Sequence, residues 1–261
     1  MSLDQPTQFV KHQTISRDAF LGGRLRLSQP RNGFRAGQDS VLLGAAVPKG
    51  TDRLLDLGAG VGTAGLVALE LGLAAGVDLA ERDRPTLALA ETNVADNGFS
   101  GRAHVLSVDI GAPAGERRAA GLLDNGYDCV IANPPYFREG QGTLAPQEAR
   151  AGARHMQAEG LALWTRRAAG CAAASGQVIF IYPAEGLAAL LSAMQNRFGA
   201  LTILPLASRP GQAANRILMR GIKGARSPLT LLAPRALHGD DGHGFAPEFD
   251  AIFRGKAALD W

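Results

Sequence analysis

From residue 53 onward the chain alternates two kinds of stretch. Short runs rich in β-branched residues or leucine are followed by longer alanine- and leucine-rich stretches whose apolar positions recur every three or four residues. The first kind reads as strands and the second as helices, and their alternation predicts an α/β fold, a parallel sheet with helices on both faces. The spacing places strands at 53–57, 74–79, 103–108, 127–132, 177–182, 201–207 and 215–222, with helices at 63–72, 83–97, 160–174 and 184–198. Two segments depart from this rhythm. Residues 20–34 alternate apolar and polar around Leu25 and Leu27 among turn residues, which predicts a small hairpin. Residues 137–159, rich in Gly, Ala, Arg and Gln, read as a long loop of the sort that is either functional or disordered.

The first predicted strand of the sheet runs straight into glycines. In Asp56-Leu57-Gly58-Ala59-Gly60-Val61-Gly62, side chains at Gly58, Gly60 and Gly62 would fill the space in which a ligand can lie against bare backbone. Gly60 to Gly65 also satisfies the dinucleotide fingerprint, in which a helix N-terminus cradles a pyrophosphate. Asp56 points the other way, since a carboxylate beside the turn suits a ligand ammonium better than a diphosphate. Asp78 ends the second strand, where a carboxylate can hold ribose hydroxyls, and Asp109 ends the third, within reach of an adenine amino group. Each of these aspartates alone could be a helix cap or a turn residue. Their joint placement at three strand ends favours a nucleoside cofactor.

Asn133-Pro134-Pro135-Tyr136 follows the apolar fourth strand. Two prolines in succession fix the backbone and remove two donors, leaving the Asn133 side-chain oxygen and the Pro134 carbonyl to face one planar NH₂ group. Such a nitrogen is a poor nucleophile because its lone pair is delocalised. Accepting both of its hydrogens localises the lone pair and stabilises the charge that develops when the nitrogen attacks a methyl carbon. Asn133, Pro134 and Tyr136 are therefore the candidate catalytic residues, with Asn133 also bordering the cofactor. Tyr136 would stack on an extruded base, and Pro135 and Phe137 would line its pocket.

Composition narrows the picture less. The 261 residues, 46% of them hydrophobic, suffice for one sizeable core. The excess of 27 basic over 24 acidic side chains is too slight to imply a nucleic acid, but arginine far outnumbers lysine, and its planar fork suits phosphates and bases. Arg24, Arg26, Arg31 and Arg35 near the hairpin, and Arg138, Arg150 and Arg154 in the long loop, are candidate phosphate contacts; four arginines so close together form a solvated face in most proteins. Cys129 and Cys171 sit in apolar surroundings with neither metal-ligand nor disulfide spacing, so no metal is expected. The N-terminus lacks a charged start before an apolar run, and no stretch is long and apolar enough for a membrane span, which together suggest a cytoplasmic protein.

The two motifs, Asp56 to Gly62 and Asn133 to Tyr136, resemble those of the Rossmann-like class I methyltransferases that methylate amino groups. More narrowly, Phe34-Arg35-Ala36-Gly37-Gln38-Asp39-Ser40-Val41-Leu42-Leu43, the basic stretch from Arg138 to His155 and the tail from Arg209 to His238 are similar to the bacterial methyltransferases that modify adenine N6 beside the anticodon of valine tRNA. The resemblance spans about residues 18–255. It implies a seven-stranded sheet whose last strand is antiparallel, S-adenosylmethionine as cofactor, tRNA as substrate, and Gln38 approaching the cofactor from an N-terminal cap. On this reading residues 1–50 form an extension with hairpin and cap helix, and 51–261 the catalytic domain. The same central motifs serve other acceptors: the glutamine amide of a release factor, N2 of a guanine in RNA, or adenine in DNA. A non-catalytic RNA-binding protein on this scaffold and a nicotinamide-dependent oxidoreductase are the readings from other classes. The latter gives Asn133 to Tyr136 no role.

Overall fold

The computed structural model of the chain describes residues 15–32, 35–135, 146–239 and 244–261, the stretch 146–158 by its backbone alone. A hairpin of β1 (Ile15–Phe20) and β2 (Leu25–Pro30) precedes helix α1 (Gln38–Ala45). The sheet then follows: β3 (Thr51–Leu57), α2 (Thr63–Glu70), β4 (Ala74–Glu81), α3 (Arg84–Asp96), β5 (Ala103–Ser107), α4 (Ala114–Ala119) and β6 (Tyr127–Ala132). After α5 (Pro146–Cys171) come β7 (Ala172–Pro183), α6 (Leu187–Gln195), β8 (Phe198–Ala207), β9 (Ala214–Lys223), two short strands β10 (Thr230–Leu231) and β11 (Arg235–Ala236), and α7 (Pro247–Phe253).

The seven main strands lie in the order β5-β4-β3-β6-β7-β9-β8, all parallel except β9, which runs against both β7 and β8. The two short strands extend the β8 edge in parallel. All seven strands sit where the hydrophobic runs predict them, and β9 is the antiparallel one. Covered on both faces, the central strands need no polar side: Leu54, Leu55 and Leu57 of β3 and Cys129 to Ala132 of β6 are all buried. One core lies between the sheet and the hairpin, α1, α2 and α7; the other lies under α5 and α6. The chain winds outward from β3 to β5, then returns to β6 on the other side of β3, so a crevice opens at the carboxyl ends of β3 and β6.

The short elements α4, β10, β11 and α7 lie where the sequence placed none, and three others have different bounds from those expected. The hairpin begins at Ile15, five residues before the predicted start, because its register pairs Ile15 with Pro30 and Phe20 with Leu25. The chain reverses through Leu21, Gly22 and Gly23, all at positive φ. Residues 146–159, expected in a long loop, belong to α5, whose Gln, Glu, Ala and Arg are good helix formers once a partner face exists. That helix stops at Cys171, and 172–174 open β7 instead of closing the helix.

The hairpin is fastened to the sheet by asparagines of α3. Asn93, wholly buried, accepts from Ser28 N (2.7 Å) and donates to Ser28 O (3.1 Å), while Asn97 accepts from Arg26 N and donates to Arg26 O, both at 3.0 Å. Two amides one helical turn apart thus take the place of a neighbouring strand along β2. Asn93 also donates to Val61 O in the glycine turn (3.0 Å), so one side chain joins hairpin, helix and turn.

Candidate active site

The crevice is a cavity of about 740 Å³, within the usual range of ligand sites. Its floor is made by the ends of β3, β4 and β6: Asp56, Gly58 to Val61, Ala80 to Asp83, and Asn133 to Pro135. Gln29, Pro30 and Asn32 of the hairpin and Ser40 of α1 form one wall, and Leu161, Leu163, Trp164 and Tyr182 the other. Its charged lining among the described residues is Asp56, Glu81, Asp83, Asp109 and the single cation Arg82.

The turn after β3 is held open from below. Gly58 and Gly60 adopt φ values of 72° and 58°, which L side chains rarely adopt, and a Cβ on Gly60 would meet nothing within 4 Å. Gly62, at φ 87°, does not border the cavity; a Cβ there would lie 2.9 Å from Leu79 Cδ1, so its bareness serves packing over β4. At Gly58 the obstacle is an aromatic, since a Cβ would lie 2.3 Å from Trp164 Cη2.

Asp56 is 3% exposed and its Oδ2 accepts from Gly65 N at 2.9 Å. Burial pushes its carboxyl from 3.8 up to about 7; the Gly65 N–H lowers it and the nearby Glu81 raises it further. The group is thus poised to ionise when a cation arrives.

Asp78 is not where the sequence places it. Pairing carries β4 on to Glu81, through Leu57 with Ala80 and Glu81 with Ser107, so Asp78 lies three residues inside the strand. It accepts from the Tyr127 hydroxyl at 2.6 Å and does not line the cavity. Glu81 occupies the strand end instead, with Oε2 receiving Gly60 N (3.0 Å) and Oε1 receiving Arg82 N and Asp83 N (both 2.8 Å). The missed signal is a carboxylate, Glu81, two residues before Asp83, the side-chain cap of α3, which accepts from Thr86 N at 3.0 Å. Asp109 lines the cavity as expected, two residues past β5, and accepts from Gly111 N at 2.7 Å.

Asn133, Pro134 and Pro135 all border the cavity. Leu57 pairs with Ala132, so Gly58 and Asn133 leave the sheet on adjacent strands, about 4.8 Å apart. Tyr136, Phe137 and Arg138 lie outside the described residues, as does the side chain of Arg154. Gln38 is exposed and off the cavity, on the face of α1 opposite Ser40, which lines it. Three of the expected phosphate contacts are occupied, Arg31 by a bond to Ile15 O at 3.3 Å. Arg24 pairs with Glu70 at 2.7 Å and bonds Gly255 O, fixing the hairpin turn to α2 and the C-terminal segment. Arg35 bonds Asp18 (2.5 Å), Ser16 Oγ (2.8 Å) and Pro30 O (3.0 Å), bracing the hairpin end that borders the cavity. Arg26 projects from β2 into solvent. Among the described residues no cluster is placed to hold a metal, and no helix is long and apolar enough to cross a membrane.

Comparison with other proteins agrees with this geometry. Residues 36–168 match the methyltransferase small domain, a span that runs from the lead-in to α1 through Trp164. The chain belongs to the methyltransferase small domain family. Within it, the tRNA1(Val) (adenine(37)-N6)-methyltransferase of Pasteurella multocida is 28% identical over 210 residues, covering 79% of this chain and 84% of that one. The protein of the same name from Enterobacter sp. is 32% identical over 142 residues, 52% of this chain and 54% of that one. The crystal structure of a predicted O-methyltransferase from Agrobacterium tumefaciens superposes with a TM-score of 0.70 at 34% identity, covering 85% of this chain and 98% of that one.

The buried Asp56 gives a measurable pH dependence. The folded chain keeps that proton to about pH 7 whereas the unfolded chain releases it near 3.8, so Asp56 lowers stability as pH rises through that interval. Asp56→Asn keeps an acceptor for Gly65 and removes the ionisation. Urea midpoints should fall less from about pH 4 to about pH 8 in the variant than in the parent. Parallel profiles would contradict the assignment.

Proposed function

We propose that this methyltransferase moves a methyl group from S-adenosylmethionine to the exocyclic N6 of an adenine in RNA, and that the RNA is a tRNA. The observation that carries this reading is the juxtaposition of Gly58 and Asn133 over one acid-lined cavity. The cavity suits the donor: Gly60 leaves open space above its backbone, and four carboxylates surround a ligand that carries a sulfonium and an ammonium. A pyrophosphate would meet the same carboxylates as repulsion, which argues against a dinucleotide. Asp56 takes the ammonium, Glu81 the ribose hydroxyls, and Asp109 the adenine amino group.

S-adenosylmethionine, when bound, supplies an electrophilic methyl. The chain's own task is to prepare the acceptor. Asn133 Oδ1 and the Pro134 carbonyl accept the two hydrogens of the amine, make its nitrogen more pyramidal, and stabilise the positive charge as the N–C bond forms. The surplus proton then leaves to water. An alcohol acceptor would need a group able to take its proton early, and neither an amide oxygen nor a peptide carbonyl does so. That favours nitrogen over oxygen here, whatever the Agrobacterium protein methylates. Tyr136 and Phe137 stack on the extruded base, and Arg26, Arg138 and Arg154 meet phosphates. The tRNA assignment is supported by the names of the Pasteurella and Enterobacter relatives.

Radiolabelled S-adenosylmethionine, offered with total tRNA, ribosomal RNA, duplex DNA and a release factor in parallel, should label tRNA and yield N6-methyladenosine after digestion. Label confined to the release factor would establish a glutamine amide as acceptor, and labelled guanine would overturn the adenine assignment. Calorimetry separates the two carboxylates of β4. Glu81→Gln should weaken the cofactor about 10- to 100-fold, through loss of charge-assisted hydrogen bonds, while Asp78→Asn leaves its affinity unchanged. The opposite ranking would return the ribose to Asp78.

A further inference from the structure

Trp164 has no part in the reading above, yet it lines the cavity and reaches the glycine turn on its floor. It projects from α5 one turn after Gly160 and next to Leu163, and these three border the cavity together with Leu161, while Thr165 and Ala168 of the same helix are buried beneath. The atoms that a side chain on Gly58 would strike are Cη2, Cζ3 and Cζ2, at 2.3, 2.9 and 3.4 Å. These form the outer edge of the six-membered ring. The indole therefore meets the bare Cα of Gly58 along its outer edge, so neither ring face is spent on that contact. Gly58 is thereby constrained twice, by its positive φ and by this contact.

The position matters because methyl transfer requires nitrogen, carbon and sulfur in line. The reading proposed above sets the ammonium at Asp56, the ribose at Glu81 and the acceptor beside Asn133 and Pro134, which puts the sulfur between them, over the turn beginning at Gly58. Gly58 and Asn133 follow paired residues of adjacent strands, so the methyl crosses above that strand pair. Trp164 touches the first of these residues and lines the same cavity as the second.

We infer that Trp164 is a specificity-determining residue for the charge on the donor's sulfur: its indole face favours the cationic sulfonium over the neutral thioether left after transfer. A tryptophan face is the strongest aromatic partner for a cation, and the attraction grows where water is excluded, as in this half-buried setting. The carboxylates of the cavity attract the sulfonium only as a distant charge, and the groups they bond on the proposed reading, the ammonium, the ribose and the adenine amino group, are shared by donor and spent product. Trp164 is placed to see the one feature that differs. The consequence is faster exchange of S-adenosylhomocysteine for fresh donor after each turnover.

Calorimetric titration of the full chain with S-adenosylmethionine and with S-adenosylhomocysteine tests this. Trp164→Leu should lower the preference for the sulfonium over the thioether by about tenfold, and Trp164→Phe should keep part of it. Equal weakening of both ligands, or an unchanged ratio, would overturn the inference. If the leucine variant does not fold, a second readout remains. Trp261 is the other tryptophan, so in Trp261→Phe all indole emission comes from Trp164. S-adenosylmethionine should alter that emission more than S-adenosylhomocysteine at saturation, and equal changes would count against the role assigned. A stronger effect of Trp164→Leu on the KM for RNA than on the ligand ratio would make Trp164 a base-stacking residue and reject the inference. A parent chain that binds neither ligand would instead remove the donor assignment beneath it, a failure distinct from that of Trp164.

Discussion

Leu57 and Ala132 face each other at the carboxyl ends of β3 and β6, and the positions of the residues that do chemistry follow from that pairing. Beyond it the two strands can no longer share a ladder. One continues into a glycine turn at positive φ, the other into Asn133 and two prolines that lack donors. A donor site and an acceptor-orienting site are thereby built on rigid elements about one strand spacing apart. The connections of these two neighbouring parallel strands lead away from each other, one to β4 and the other to β7, so the order of the strands and the place of the reaction are one constraint.

The hairpin is part of the same construction. Gln29 accepts from Ala36 N at 2.8 Å and donates to Asp18 at 2.8 Å, Arg35 holds that same Asp18, and Asn93 ties Ser28 to Val61. The wall formed by Gln29, Pro30 and Asn32 is therefore coupled to the glycine turn through side-chain amides, whose geometry is directional, and not through apolar contact alone. These partners come from residues 18 to 93, far apart in sequence. That is why Arg35, which reads as a free phosphate contact in a basic cluster, turns out to be a brace.

Strand positions were legible because a sheet covered on both faces imposes near-continuous apolar runs, and β3, β6 and β7 have them. Element ends were less legible. Polarity at Glu81 and Arg82 conceals that β4 pairs as far as Ala80 on the β3 side and Glu81 on the β5 side, and the carboxylate at the strand end was consequently read as Asp78. The helical stretch after Pro146 was concealed because Gly152 and Gly160 lower local helix preference, which packing against the sheet further along α5 overrides. Asp56, Gly58, Gly60, Asp109, Asn133, Pro134 and Pro135 line the cavity as the motifs imply. Trp164 and Tyr182 could not be read as lining residues, since each sits in an apolar run and only the third dimension brings it to the cavity.

The central claim is that Asn133 acts on the acceptor and leaves donor binding to the turn beside it. The direct measurement sets cofactor affinity beside single-turnover methyl transfer for Asn133→Ala with saturating RNA. Transfer should fall by about 10²- to 10³-fold, the loss seen when a charge-stabilising hydrogen-bond partner is removed, while the dissociation constant of S-adenosylmethionine moves little. A loss of affinity large enough to account for the loss of rate would place Asn133 in the donor site and contradict the account.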